Sequence, residues 1–232
     1  MDFGTEAMKK IAIHQPNFLP WLGYFYKMKQ CDVFVILDDV LVSDGKRNSY
    51  FTQTWIKSSA GKQLISLPQK KHSINTLIRD VLFSENYPFF CKKFLKTVQV
   101  CYSKAPYFRL HFDNIEHIFH TSFEHLYELN VELIKYCARS LNINCQIVFT
   151  SNLKSTQQKE ARIIDLVKKL DGDVYISGNG AKNYQKEEDF TQNGIQLIYS
   201  DFKIQPYPQL HGDFIGGLSV VDFLFNTNGE RF

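Results

Sequence analysis

The stretch Ile11–Val42, IAIHQPNFLPWLGYFYKMKQCDVFVILDDVLV, limits the fold more than any other part of the chain. Lys10–His14 is a short apolar run that ends polar, as a central strand of a parallel sheet does. Pro16 and Pro20 exclude a helix interior across Gln15–Leu19. Pro20 suits a first helical turn, so a helix should carry Trp21 to about Gln30. Gly23 within that helix costs about 1 kcal/mol against Ala, which points to close backbone approach by a neighbour or a ligand. Asp32–Leu37 reads as a second buried strand, closed by Asp38 and Asp39. In open α/β sheets ligands bind just outside the carboxyl ends of the strands. His14, Gln15, Asp38 and Asp39 all stand at such ends.

The remainder fits the same class. Ser43–Asn48 reads as a charged, turn-rich loop, and Ser49–Lys57 with Gln63–Leu67 as a hairpin around Gly61. Val81–Phe83 is a weak strand candidate. Pro88–Cys101 and Phe119–Leu141 read as helices, the second with a stripe of Leu126, Leu129, Leu133, Ile134 and Cys137. Strands are expected at Cys145–Thr150, Asp173–Ser177 and Ile195–Ser200, with an amphipathic helix over Thr156–Leu170 between the first two. Leu218–Phe225 closes the chain as a helix that Ser219 can cap. Strands alternating with helices predict an α/β fold with a Rossmann-like, mainly parallel sheet flanked by helices, and an antiparallel hairpin as an insertion. Residues 1–8 read as a flexible tail, and residues 9–232 as a single domain.

Composition narrows the class further. No apolar run approaches the roughly 18–20 residues of a membrane span, and the start is too polar for a secretory signal. The five cysteines are odd in number and widely spaced, with no CxxC, so they read as reduced thiols of a cytoplasmic protein. Net charge is only +3, but Lys46–Arg109 holds 12 Lys and Arg against two acids, leaving the rest of the chain acidic. Such a segment suits an anionic partner, such as a diphosphate, an acidic carrier protein or RNA; a solvated basic face is the plainer reading.

Among chemical groups, His14 is the one at a strand end that titrates near neutral pH, so it can act as a general base or hold a phosphate. Asp38 and Asp39 point to opposite sides of their strand, so at most one faces His14. Ser177-Gly178-Asn179-Gly180 follows a strand, and its glycines let backbone amides approach an anion or a sugar, though a plain turn fits as well. Ser177 with His14 is a conceivable nucleophilic pair. Lys104 and Tyr107 in YSKAPYF can stack a ring and hold a phosphate. Tyr207, Gln209 and His211 stand in a rigid extended loop. His111, His117, His120 and His125 lack a clean ligand spacing and read as surface histidines, and no compact metal set is present. Asp222 sits among apolar residues and needs a partner if buried.

Taken together, HQPNFLPWLGYF (His14–Phe25), DVFVILDDV (Asp32–Val40), KAPYF (Lys104–Phe108), YISGNGAKNY (Tyr175–Tyr184), YPQ (Tyr207–Gln209) and LSVVDFLFNTNG (Leu218–Gly229) resemble the WbqC-like family of bacterial proteins. The blocks run in the family's order and span nearly the whole chain. After LDDV the family usually carries a basic-plus-Asn run, where this chain has SYFTQTW. The resemblance implies a cytoplasmic protein of a surface-polysaccharide cluster, such as O-antigen lipopolysaccharide synthesis, in which amino sugars are often acylated.

In that setting the expected activity is transfer of an acyl or aminoacyl group to the amine of a nucleotide-linked amino sugar. His14, alone or with Asp39, takes the amine proton, and Ser177 stands beside them. Gln15, Asn17, Trp21, Gly23, Tyr24, Asp38, Lys104, Tyr107, Gly178, Asn179, Gly180, Tyr184, Tyr207, Gln209 and His211 are the expected substrate-binding residues. The donor would be an acyl-CoA, an acyl carrier protein or an aminoacyl-tRNA, met by the basic 46–109 segment. The alternatives are a nucleotidylyltransferase-like enzyme, against which no HxGH pair is present, and a non-catalytic protein that binds a sugar nucleotide.

Overall fold

The computed structural model describes residues 7–42, 49–230 and 232. Most of the expected tail and the whole Ser43–Asn48 loop lie outside the described residues. In chain order the elements are β1 Lys10–His14, α1 Leu22–Lys29, β2 Val33–Ile36, β3 Gln53–Ser58, β4 Gly61–Ser66, α2 Tyr87–Tyr102, α3 Phe108–His120 and α4 Leu126–Ser140. They continue with β5 Gln146–Phe149, α5 Thr150–Leu153, α6 Lys159–Lys169, β6 Val174–Gly178, α7 Glu187–Thr191, β7 Gln196–Ser200 and α8 Val220–Thr227. These gather into two compact units, the first from Met1–His14, Tyr26–Leu37 and Asn144–Phe202, the second from Gln15–Phe25, Asp38–Ile143 and Lys203–Phe232.

The first unit holds a five-stranded sheet in the order β5-β2-β1-β6-β7, with every neighbouring pair parallel. The α/β class and the Rossmann-like sheet read from the sequence are therefore the observed ones. Connections from β1 run outward on one side through β2 to β5, and from β6 outward on the other to β7. The strand order thus reverses between β1 and β6, while all strands stay parallel. One face carries Ile11, Ile13, Val33, Val35, Tyr175 and Leu197, packed on Ile164, Leu166 and Val167 of α6 and on Phe190 of α7. Side chains alternate along a strand, so Ala12, His14, Phe34, Ile36, Ile176 and Gly178 belong to the other face.

The second unit holds the antiparallel β3–β4 hairpin and helices α2, α3, α4 and α8. The hairpin pairs Gln53 with Ser66 and Ser58 with Gly61, where a φ of +99° explains the glycine. Two expectations are corrected here. The helix read over Phe119–Leu141 is two helices, because α3 ends at His120 and α4 begins at Leu126. The Glu128 carboxylate accepts the backbone N–H groups of Glu124 and His125, satisfying donors at the new helix start. Val81–Phe83 forms no strand; its residues make only isolated bridges, Gln69 with Phe83 and Leu82 with His125.

Aromatic rings fill much of this unit's interior. Phe18, Phe94 and Phe119 meet with centroids 4.9–6.3 Å apart, and Phe225 lies 5.1 Å from Tyr102 and 5.3 Å from Phe108. Across the molecule, Cys31, Cys91, Cys101 and Cys137 are buried, Cys145 is half-buried, and all five are free thiols. No described helix is long and apolar enough to cross a membrane.

Candidate functional site

In a doubly wound sheet the crevice for ligand opens where the strand order reverses. In the first unit that place is the carboxyl end of β1 beside the carboxyl end of β6. The parallel register pairs Lys10 with Val174, Ile11 with Tyr175 and Ala12 with Ile176. Carried two residues further, it sets His14 level with Gly178, on one face. His14 is half-buried, and its carbonyl accepts the Leu37 N–H at 2.9 Å. Gly178 leads into a 3₁₀ turn, Asn179–Ala181, in which Asn179 and Gly180 are exposed. A Cβ at Gly178 or Gly180 would meet nothing within 4 Å, and neither residue has a positive φ. Neither packing nor backbone conformation demands these two glycines. The space above them is open.

Ser177 lies on the opposite face. It follows Tyr175 in the alternation, is buried, and donates from Oγ to Gln185 Oε1 at 2.7 Å. The pairing of Ser177 with His14 is accordingly corrected, since the one-residue offset turns the two side chains to different sides of the sheet. Tyr184, from the same loop, is exposed.

The second unit holds the other expected residues, and they divide into two sets. Asn17 and Trp21 line a cavity of about 300 Å³ together with Tyr50, Gln53, Trp55 and Lys62. Gly23 belongs to the same construction, because a Cβ there would sit 2.3 Å from the Trp21 indole. The close approach read from this glycine is thus made by the neighbouring tryptophan. Tyr24 donates its hydroxyl to the Gln15 carbonyl at 3.1 Å and braces the turn from within. Asp38 is buried and Asp39 half-buried in the loop after β2, where the Asp38 carbonyl accepts the Arg79 N–H at 2.9 Å.

The other set surrounds Asp222, which is fully buried. Its carboxylate accepts Tyr102 Oη–H at 2.9 Å, Tyr207 Oη–H at 2.8 Å and Gln209 Nε2–H at 2.8 Å. Burial pushes the Asp222 carboxyl above its ordinary value, against the pull of those three donors and of Lys57. Lys57, also buried, donates from Nζ to Gln209 Oε1 and to the carbonyls of Gly212 and Asp213. His211 Nε2 lies 2.7 Å from the Cys101 carbonyl. Tyr207, Gln209 and His211 therefore hold the extended loop in place. Lys104 is exposed, while the Tyr107 N–H is bound to the Phe225 carbonyl at 3.0 Å.

Three residues were not legible as special in the sequence. Lys27 lies inside the first unit, donating from Nζ to the Ile13 carbonyl at 2.9 Å, and burial holds its ammonium down at about 7. Trp55 carries Lys62 Nζ 4.9 Å from its ring centroid. His111, expected at the surface, is buried between Tyr136 Oη at 2.8 Å and Asn228 Oδ1 at 3.0 Å. Among the described residues no group of three or more His, Cys, Asp or Glu is placed to hold a metal ion.

Comparison with known proteins agrees with the blocks quoted from the sequence. A relative from Mycobacterium tuberculosis (strain ATCC 25618 / H37Rv), named "Uncharacterized protein Rv1507c", is 29% identical over 229 residues, covering 96% of each chain. No solved structure matches significantly. The model of the WbqC-like protein family matches residues 15–232, nearly the full length, and the chain belongs to that family.

Proposed function

We propose that the protein is a transferase that binds a nucleotide-linked amino sugar at the carboxyl ends of β1 and β6 and acylates its amine. The observation that carries this reading is the pair of glycines, Gly178 and Gly180, with open space above them beside the sheet's reversal point. Amides exposed there suit a diphosphate or a developing oxyanion, and His14 stands level with Gly178 on the adjoining strand. In the step proposed, the neutral amine nitrogen of the sugar attacks the donor carbonyl, and the imidazole takes the proton that this nitrogen gives up. The C–N bond forms, the thioester or ester bond to the carrier breaks, and the imidazolium returns that proton to the departing thiol or alcohol. Basic groups of the 46–109 segment, among them Lys70 and Lys71, which line a cavity with His72, Asn75 and Asp80, are suited to an anionic donor such as an acyl-CoA, a carrier protein or an aminoacyl-tRNA.

Thermal-shift measurements with UDP- and dTDP-linked amino sugars against ATP test the binding half of this reading. Stabilisation by the sugar nucleotides is expected, whereas stabilisation by ATP alone would replace the reading with a nucleotidylyltransferase-like one. Mass-spectrometric screening of amino-sugar nucleotides with acyl donors tests the chemistry. His14→Ala should then lower turnover by about 10²-fold or more, the range for a lost general base, while largely sparing binding. Full turnover by that variant would remove His14 from the mechanism.

A further inference from the structure

We propose that the cavity of the second unit lined by Asn17, Trp21, Tyr50, Gln53, Trp55 and Lys62 is a binding subsite for a neutral pyranose ring. Its walls combine four aromatic side chains, Phe18 and Tyr50 with both tryptophans of the chain, with neutral amides. Trp and Tyr offer a large rigid apolar face with one polar handle, which suits the C–H face of a sugar whose hydroxyls need scattered polar partners. At about 300 Å³ the cavity stands at the small end of ligand sites, with room for one ring.

Asn17 is the residue that points to a ligand. It is 5% exposed and lines the cavity, so what accessible surface it keeps is at the cavity wall. Its amide can both donate to and accept from a hydroxyl or acetamido group seated in the cavity. Lys62, whose ammonium lies over Trp55, places a positive charge at the wall. That charge repels a protonated amine and selects a ring whose substituents are hydroxyl or N-acyl groups.

The cavity is also held in shape before any ligand arrives. Leu19 takes a φ of +40°, rarely tolerated by a branched side chain, and Thr54 Oγ1 donates to its carbonyl at 2.8 Å. Backbone bonds from Phe18 N–H to Tyr50 O, Ser219 N–H to Trp55 O and Val220 N–H to Pro20 O join the three segments around the opening. Gly23 leaves room for the Trp21 indole against the first turn of α1. Binding therefore costs little ordering of the protein.

Because the chain has no other tryptophan, indole emission reports on this cavity alone. Titrating the intact protein with the methyl glycoside of N-acetylglucosamine should give a saturable emission change, and AMP at equal concentration should not. Tyr50→Ala, at a residue 61% exposed, should weaken the sugar by about fivefold or more at unchanged melting temperature. Asn17→Ala should weaken it similarly. No saturable response to the glycoside, an equal response to AMP, or an unchanged affinity in folded Tyr50→Ala would each overturn the proposal. The titration reads the second unit by itself. It can fail while sugar nucleotides still stabilise the protein, and it can succeed while His14→Ala leaves turnover intact.

Discussion

Asp222 and Lys27 are both buried charge-bearing side chains, and their surroundings set opposite expectations. Asp222 is met by three side-chain donors, so removing it strands the Tyr102, Tyr207 and Gln209 groups together. Asp222→Ala should cost about 3 kcal/mol in urea unfolding, and Asp222→Asn, which keeps an acceptor, distinctly less. Lys27 has the Ile13 carbonyl as its hydrogen-bond acceptor and lies 6.0 Å from the Phe34 ring centroid. Burial lowers its ammonium from 10.5 to about 7, although the nearby Cys31 acts the other way. Between those pH values the unfolded chain holds a proton that the folded chain has released. Stability from this group therefore rises with pH through that window and is lost as pH falls toward 7. Lys27→Met should raise stability at pH 7 by about 1 kcal/mol or more, the scale of one pKa unit. The gain over the parent chain should shrink in urea titrations at pH 9; an equal gain at both pH values would contradict a buried, deprotonating lysine.

Among the elements, the turn after β6 separates a structural role from a binding one most cleanly. Gly178→Ala and Gly180→Ala add a methyl group to open space at positions with ordinary backbone angles. Each should leave stability unchanged or raise it by about 0.4–1 kcal/mol, because alanine restricts the unfolded chain. If backbone amides of this turn meet a diphosphate, the same methyl groups stand in the way. Sugar-nucleotide affinity measured by calorimetry should then fall about tenfold at undiminished melting temperature. Wild-type affinity in both variants would show that the turn carries no ligand. Gly23 is a different case. Its bareness is already used by the Trp21 indole, so the glycine shapes a cavity wall without needing to touch a ligand.

At the scale of the whole molecule, each compact unit is assembled from three separate segments of chain. The central strand β1 and its neighbour β2 come from the first forty residues, while β5, β6 and β7 come after Asn144. An isolated 144–202 fragment has β5 and β6 but not the two strands that lie between them. It should remain unfolded by circular dichroism, and a cooperative melt from that fragment would refute this account of the sheet. The sequence by itself determined the alternation of strands and helices, because buried runs ending in polar residues and the stripe from Leu126 to Cys137 are local periodic signals. It also marked His14, Gly178 and Gly180 through local chemistry. Only the tertiary structure decided that Ser177 faces away from His14, since a side chain's face depends on register with a strand far off in sequence. It likewise decided that Asp222 and Lys27 are buried and that Trp21 and Trp55 line one cavity. Burial and encounter are properties of segments brought together from distant parts of the chain, and no local pattern encodes them.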